Sequence, residues 1–282
     1  MGAARPAAPR PVEPGALATA TSAIGAGLLT RLRAAGIARM TGKRSRQAQV
    51  RLKAIEPLWS RMVDYARGSA VTGASYSDYL TLWEHVRCFR PREVLECGTG
   101  ISTVVMAEAL RANEAEGGAR GRVTSMEDDP AWHAEACARL PQALAPYVEL
   151  MLSPKVDGHY KCFRGVQYLA VPDRAYDFVF SDGPERHSPV NADKLFDLDL
   201  LQVVRRADRP VRAVVDDHFL TFYVLQTVFG ADKARYSPSH KLLFVGPVTR
   251  ADVRRLSKRS FLPDLRPFGA TRFQLRLVRE DQ

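Results

Sequence analysis

Cysteine is scarce in this chain of 282 residues. Its four cysteines are scattered, no two of them form a CxxC pair, and they stand at positions 88, 97, 137 and 162. This usage predicts core or incidental thiols in a reducing compartment, the cytoplasm. A long apolar run is also missing, because the uncharged run at residues 16–29 has fourteen residues, short of the roughly 20 that cross a bilayer. The sequence therefore predicts no transmembrane segment.

Acidic residues are nearly missing from the first 55 residues, which hold ten Lys or Arg and a single acid, Glu13. This part carries +9 of the net charge of +10, so the rest of the chain is almost neutral and offers no footprint for a specific nucleic-acid partner. We predict that residues 1–50 are a basic, partly disordered leader. Its run at 16–29 fits an amphipathic helix in weak contact with a membrane surface, with a signal peptide or an organelle transit peptide as alternatives.

A third glycine is missing from the glycine loop in the stretch Glu93 to Leu110, EVLECGTGISTVVMAEAL. The pattern predicts a buried strand, a turn at Gly98 and Gly100, and a helix. In the dinucleotide-binding pattern the third glycine would stand at Thr103, so an NAD-dependent oxidoreductase is disfavoured but stays an alternative. The carboxylate of Glu96, directly before the first glycine, suits a cationic ligand group such as an ammonium. A tight turn without a ligand is the other reading of this loop.

Acids recur where the following predicted strands end. Glu127 and Asp128 follow the second strand, where a nucleotide places its ribose diol, and Asp129 with Pro130 predicts the start of a helix. Asp182 follows the fourth strand. Strands that alternate with helices predict an α/β fold with a doubly wound parallel sheet, whose ligands lie at the carboxyl ends of the strands. The predicted strands after the first are 122–125, 148–152, 176–181 and 211–215.

The remaining elements complete a catalytic domain at residues 91–282, preceded by N-terminal helices at 51–90. The last two strands, His240–Val245 and Thr271–Val278, are predicted to pair antiparallel at one edge of the sheet. Aromatic residues on the N-terminal helices are assigned to the core, although helices at this place would cover the substrate mouth. Helices are predicted at 55–67, 78–89, 130–140, 191–204, 220–229 and, strongly basic, 249–260.

In this order the residues resemble the class I S-adenosylmethionine-dependent methyltransferases over Asp78 to Arg279. The glycine loop matches the first motif of that family, Glu127 the acid that holds the ribose, and Asp182 the acid after the fourth strand. The resemblance implies a Rossmann-like, mostly parallel seven-stranded sheet. It is closest to small-molecule O-methyltransferases of the catechol, caffeoyl-CoA and antibiotic-sugar types. It implies S-adenosylmethionine as cofactor, bound by Glu96, Gly98, Thr99, Gly100, Ser102, Glu127, Asp128 and Asp182.

The same resemblance implies a metal-assisted reaction on a small-molecule or sugar hydroxyl. Asp182 and the pair Asp216-Asp217 after the fifth strand would gather one Mg²⁺ through oxygen ligands. The alternative is that the pair caps the helix that follows.

The proton acceptor is where the sequence departs from these relatives. The catechol-type enzymes have a lysine where this chain has Glu185, and the antibiotic-sugar enzymes have an aspartate where it has Pro184. The catalytic candidates are therefore Asp182, Glu185, His187 and His218. A noncatalytic binding protein that kept the fold is the third class of function.

Overall fold

A seven-stranded sheet runs through the part of the chain that the structure describes. The structure is a computed structural model, and it describes residues 35–36, 38–67 and 74–253. The strands of the chain are β1 (Glu93–Cys97), β2 (Arg122–Glu127), β3 (Val148–Leu152), β4 (Lys155–Tyr160), β5 (Phe163–Tyr168), β6 (Phe178–Ser181), β7 (Phe196–Asp197), β8 (Val211–Val215), β9 (Ala234–Ser237) and β10 (Leu242–Val248).

The order of strands in this sheet is β3-β2-β1-β6-β8-β10-β9. The first five are parallel to one another, and β10 runs antiparallel to both of its neighbours. The chain winds outward from β1 in one direction and then returns to β6 on its other side. This reversal makes the carboxyl ends of β1 and β6 the place where a ligand binds in such a fold. The predicted doubly wound sheet with an antiparallel edge pair is confirmed.

The partner of β10 at this edge differs from the predicted one. Leu242–Val248 lies between β8 and Ala234–Ser237, so both of its sides are taken by strands that precede it in the chain. The prediction that it pairs with residues 271–278 is therefore wrong, and residues 271–278 lie outside the described part. The short strand Ala234–Ser237, with the polar sequence ARYS, has too little alternation to be seen in the sequence.

Helices cover both faces of the sheet. They are α1 (residues 38–53), α2 (Leu58–Ala66), α3 (Tyr76–Phe89), α4 (Ile101–Ala115), α5 (Pro130–Arg139), α6 (Asp199–Arg206) and α7 (Phe219–Phe229), with short 3₁₀ turns at Gln142–Tyr147 and Arg250–Asp252. The predicted cap of α5 is confirmed, since the Asp129 carboxylate accepts hydrogen bonds from the amides of Ala131 and Trp132. Most of the predicted basic helix at 249–260 lies outside the described residues.

The N-terminal helices pack on the same core as α4. Leu52 of α1 and Leu58 and Met62 of α2 are buried there, and the side chain of Arg61 pairs with the buried carboxylate of Glu108 on α4. The boundary predicted between residues 50 and 51 falls inside α1. Of the leader predicted at residues 1–50, residues 1–34 and 37 lie outside the described part. Within the described part, no helix has the length and apolar character needed to cross a bilayer.

A second, three-stranded sheet was not predicted. The β4–β5 hairpin is antiparallel, and β7 pairs parallel with β5. Two glycines allow the β4–β5 hairpin to pack closely against Phe196 and Leu198. A Cβ at Gly165 would lie 2.8 Å from the ring of Phe196, and a Cβ at Gly158 would lie 2.6 Å from Leu198 Cδ2. The helix predicted over 191–204 is therefore wrong in its first half. Residues 196–197 form a strand, and the helix begins at Asp199.

The extent of α1 leads to a prediction about truncation. Deleting residues 1–50 removes Ala48, which is buried, and Arg44, which donates a hydrogen bond to the Ser239 hydroxyl. Deleting residues 1–34 removes neither. We expect the longer deletion to lower the free energy of unfolding by about 1–3 kcal/mol relative to the shorter one. Urea unfolding followed by circular dichroism measures this difference, and equal stabilities would show that α1 contributes no packing.

Candidate cofactor and acceptor site

The loops after β1 and β6 touch through two glycines. Gly98 has φ +92°, and a Cβ there would lie 3.3 Å from the amide nitrogen of Gly183. A Cβ at Gly183 would lie 3.1 Å from Gly98 Cα and from the Tyr168 hydroxyl. Both positions therefore need glycine, one for its conformation and the other for the close approach. This contact places Asp182, directly before Gly183, beside the glycine loop.

Thr103 explains why the third glycine is missing. Its hydroxyl donates to the Glu96 carboxylate at 2.5 Å and accepts a hydrogen bond from the Gly100 amide at 3.1 Å. Glu96 is completely buried beneath the loop, and Ser102 is buried as well. A cofactor would therefore meet Glu96 through the Thr103 hydroxyl and the loop amides. Burial raises the pKa of Glu96 to about 7, against the hydrogen bonds from its serine and threonine neighbours.

This raised pKa makes stability depend on pH. The folded protein holds the Glu96 proton up to about pH 7, whereas the unfolded chain releases it near pH 4.5, so this residue lowers stability as the pH rises between these values. In Glu96→Gln the loss is absent. We expect the variant's stability to rise relative to the wild type by up to about 3 kcal/mol from pH 4.5 to pH 7.5. Cofactor-free protein unfolded in urea at several pH values tests this, and parallel curves would contradict it.

Glu127 ends β2 next to the glycine loop. Its carboxylate accepts hydrogen bonds from the amides of Asp128 and Asp129, each at 3.0 Å, and from the Thr99 amide at 3.3 Å. The side chain is thus held in one orientation with lone pairs left for a ligand. Asp128 lies 3.6 Å from the ammonium of Lys155. The acid that the resemblance assigns to the ribose therefore lies directly against the loop assigned to the rest of the cofactor.

Asp182 and Asp216 come together at the carboxyl ends of neighbouring strands. Each continues the ladder by one residue, since the Asp182 amide donates to Cys97 O and the Asp216 amide to Ser181 O, both at 2.9 Å. Ligand atoms of Asp182, Asp216 and His218 lie within 4.8 Å of one another. Solvent reaches Asp182, yet the protein surrounds its carboxylate closely enough that desolvation, together with repulsion from Asp216, raises its pKa well above the usual range. Two carboxylates in this arrangement favour a cation between them.

Asp217, the third predicted metal ligand, lies outside this cluster. Its carboxylate is 3.8 Å from the ammonium of Lys241. The alternative of helix capping finds no support either. His218 is the residue before α7, and its side chain makes no capping hydrogen bond. Within the described residues, neither Asp216 nor Asp217 accepts a hydrogen bond from the first turn of α7. The structure thus separates the two neighbouring aspartates and brings His218 to the site.

His218 is held by an acid that the sequence analysis missed. Its Nδ1 lies 2.6 Å from Oδ2 of Asp197, and both side chains are buried. The same oxygen accepts hydrogen bonds from the hydroxyls of Ser181 and Thr221, each at 3.3 Å. The sequence does contain a signal for Asp197, because this acid lies inside the apolar run LFDLDLL. The helix predicted over residues 191–204 accounted for that run without a buried acid, so Asp197 was not chosen. Nε2 of His218 is left as the nitrogen for a ligand.

Glu185 and His187 form a pair away from this cluster. The carboxylate of Glu185 contacts the ammonium of Lys155 and Nδ1 of His187, and both side chains of the pair are exposed. Partial burial acts to raise the pKa of Glu185, but the hydrogen bonds from Lys155 and His187 lower it to about 2. Such a weak base is poorly suited to accept a proton near neutral pH.

Two tyrosines on the N-terminal helices face the acids of the site. Burial raises the pKa of Tyr65 on α2, and the charge of Glu96 raises it further. Burial and then Asp182 do the same for the pKa of Tyr79 on α3. Both rings are buried, and no hydrogen bond of either hydroxyl is seen within the described residues. The sequence analysis gave these aromatic residues no role beyond the core, and the structure places them within electrostatic reach of Glu96 and Asp182.

Comparison with known proteins supports this geometry. Residues 95–208 match a family model described as a methyltransferase domain. The matched segment includes the glycine loop, Glu127, Asp182 and Asp197, and it lies on a doubly wound sheet of the order described above. Residues 95–208 thus form a methyltransferase domain. No curated protein matches this chain.

Solved structures similar to this chain include TomG from Streptomyces achromogenes, an O-methyltransferase involved in tomaymycin synthesis, in complex with SAM. It is 19% identical, with 66% of this chain and 74% of that chain covered and a TM-score of 0.40. An O-methyltransferase from Bacillus cereus in complex with SAH is 17% identical, with 71% and 83% covered and a TM-score of 0.43. A methyltransferase from Geobacter sulfurreducens is 15% identical, with 68% and 89% covered and a TM-score of 0.43. Similarity at this level does not indicate the acceptor.

Proposed function

We propose that this methyltransferase transfers the methyl group of S-adenosylmethionine to a hydroxyl oxygen of a small molecule or sugar. The observation that carries the proposal is the meeting of Asp182 and Asp216 beside the glycine loop. An oxygen acceptor that gives up a proton needs a group next to the methyl donor that accepts this proton or stabilises the oxyanion through a bound cation, and this pair of carboxylates can do either.

The cofactor is placed by the loops after β1 and β2. The amides of the loop at Gly98, Thr99 and Gly100 and the N-terminus of α4 at Ser102 lie on one side, and Glu127 lies on the other. In this arrangement Glu127 accepts hydrogen bonds from the ribose hydroxyls, with Asp128 next to it. The ammonium of the methionine part would lie toward Asp182, whose carboxylate follows β6 beside the glycine loop and close to Asp216.

The reaction needs alignment and the removal of one proton. The acceptor oxygen forms a bond to the methyl carbon while the carbon–sulfur bond breaks. The electron pair of the carbon–sulfur bond stays on sulfur, which gives S-adenosylhomocysteine. The acceptor proton leaves toward the carboxylates. A divalent cation held there would lower the pKa of the acceptor hydroxyl and hold its oxygen. The chemistry of the donor set fits such a cation, because two carboxylates repel each other until a positive charge lies between them.

Of the four catalytic candidates, the geometry favours Asp182 and His218. Both belong to the cluster at the carboxyl ends of the strands, whereas Glu185 and His187 contact each other at the surface. We therefore assign Glu185 and His187 a structural role, in which Glu185 holds the loop after β6 against Lys155. This assignment leaves the acceptor end of the cleft to the cluster.

Two measurements test the proposed function. Calorimetry with S-adenosylmethionine and with NAD separates a methyltransferase from an oxidoreductase, and we expect binding of the first alone. Incubation with S-adenosylmethionine and a library of phenols, catechols and sugars, followed by mass spectrometry, should show S-adenosylhomocysteine together with a product heavier by one CH₂. Cofactor binding without turnover on any hydroxyl would favour the noncatalytic alternative. Binding of NAD alone would overturn the proposal.

The cysteines and the distribution of charge bear on the compartment and the partners of the protein. The four cysteines are free, three of them exposed, which favours a reducing compartment such as the cytoplasm. The basic charge of residues 1–55 would attract an anionic membrane surface rather than contribute to the cleft. A small molecule is therefore the partner that we assign to the catalytic domain, with no specific nucleic acid.

A further inference from the structure

We propose that the acceptor site is a divalent-metal site of mixed donors, formed by Asp182, Asp216 and a ring nitrogen of His218. One ligand atom of each lies within 4.8 Å of the other two. The resemblance to metal-assisted relatives implies a third carboxylate, Asp217, in place of the imidazole. The use of this metal in methyl transfer rests on the proposed function, whereas its binding does not.

Two neighbouring residues compete for the third ligand position. Asp217 lies 3.8 Å from the Lys241 ammonium, so a positive charge already faces its carboxylate. His218 belongs to the cluster with Asp182 and Asp216, with 5% of its surface exposed and Nδ1 2.6 Å from Oδ2 of Asp197. Its remaining nitrogen, Nε2, is bound to no side chain within the described residues. The ring is thus buried with one nitrogen fixed and the other available, as a metal-binding histidine requires.

Asp197 is the orienting residue of this site. Metal-bound histidines usually donate their second ring N–H to a carboxylate or carbonyl, which fixes the tautomer and the direction of the ring. Asp197 makes this contact at 2.6 Å and is itself held by Ser181 and Thr221 from the flanking strand and helix. Asp197 does not touch the metal position. It acts through His218.

The donor set determines which metal is preferred. Mg²⁺ takes oxygen ligands, whereas an imidazole nitrogen beside two carboxylates suits Mn²⁺, Fe²⁺, Co²⁺ or Zn²⁺. We therefore expect Mn²⁺ to bind more tightly than Mg²⁺ by at least tenfold. Calorimetry of the full chain, freed of metal with EDTA and dialysed, measures both ions without any acceptor. Equal affinities, or tighter Mg²⁺ binding, would overturn the proposal.

Two variants separate the competing third ligands. His218→Gln should weaken Mn²⁺ binding by about 10- to 100-fold, whereas Asp217→Asn, the matched control, should change it less than threefold. The opposite result would assign the site to three carboxylates. Asp197→Asn should weaken Mn²⁺ binding about tenfold while leaving the ligands in place. Asp199→Asn, a buried acid that accepts a hydrogen bond from the Tyr168 amide instead, should leave Mn²⁺ affinity unchanged.

A spectroscopic readout keeps the proposal testable if a variant unfolds. Pulsed electron paramagnetic resonance of Mn²⁺ in the wild type detects a directly bound nitrogen, and labelling of histidine with ¹⁵N must change that signal. Absence of a nitrogen coupling, or of any Mn²⁺ binding, would overturn the site. The proposed function fails separately, through a lack of S-adenosylmethionine binding in a protein that still takes up Mn²⁺.

Discussion

Asp216→Asn is expected to lower methyl transfer by about 100- to 1,000-fold while S-adenosylmethionine affinity stays within about twofold. Asparagine keeps the size of the side chain and one oxygen but removes the charge that, with Asp182, attracts a cation. Most contacts assigned to the cofactor lie on the loops after β1 and β2, and Asp182 itself is kept in this variant, so cofactor binding should be nearly unchanged. The rate of S-adenosylhomocysteine formation with the acceptor found in the hydroxyl screen measures the first quantity, and calorimetry measures the second.

Glu185→Gln is the control for this prediction. Glu185 lies on the same loop as Asp182 but pairs with Lys155 and His187 at the surface. We expect it to keep at least a third of the wild-type rate. Chelation with EDTA should lower the rate of the wild type, and added divalent metal should restore it. Full activity of Asp216→Asn, or full activity in EDTA, would leave a metal-free enzyme in which Asp182 or His218 alone accepts the proton.

Most of the parallel part of the sheet could be predicted because four of its five strands, β1, β2, β6 and β8, combine a largely buried run with a chemical signal at the end. The five residues of β1 are followed by two glycines, and β2, β6 and β8 are each followed by acids. Such strands are covered on both faces, so their buried positions are consecutive and do not alternate with exposed ones. The residues of the cofactor loops follow directly from this pattern. Their assignment as ligands stays a prediction.

The second sheet could not be predicted because its strands lack such a pattern. The hairpin β4–β5 has the sequence KVDGHY-KC-FRGVQY, in which charges and glycines interrupt the alternation of apolar residues. Its stability comes from contacts distant in the chain, above all the packing of Phe196 and Leu198 over the two glycines. Tertiary contacts of this kind override the local preference for helix or strand. The same contacts explain why Phe196 and Asp197 form β7 although a helix was predicted over residues 191–204.

The proposed third ligand, His218, shows the same limit at the scale of one residue. Asp216, Asp217 and His218 are consecutive, so the sequence places all three at the end of β8. Which side chain turns toward Asp182 depends on Lys241 and Asp197, which come from β10's leading turn and from β7. Neither partner is close in sequence. A resemblance based on spacing alone therefore chose the pair of aspartates.

Glu127→Ala is expected to weaken S-adenosylmethionine binding by about 1.5–3 kcal/mol, which is roughly 10- to 150-fold in the dissociation constant. The carboxylate makes charge-assisted hydrogen bonds, and in the cofactor complex it would accept those of the ribose hydroxyls. Its loss also frees the amides of Thr99 and Asp128, so part of the effect reflects a less ordered loop. Calorimetry with S-adenosylmethionine at fixed salt concentration measures the change.

Two further variants separate the ribose contact from the order of the loop. Glu127→Gln keeps a side-chain oxygen for the loop amides but lacks the negative charge, so it should recover stability more fully than affinity. Asp128→Asn changes the next residue, whose carboxylate faces Lys155 and not the glycine loop, and it should cost less than Glu127→Ala. If Glu127→Ala binds S-adenosylmethionine as tightly as the wild type, the ribose does not lie at the end of β2. The cofactor would then have to occupy this cleft in a different orientation, with its adenosine away from the acid that the glycine loop holds in place.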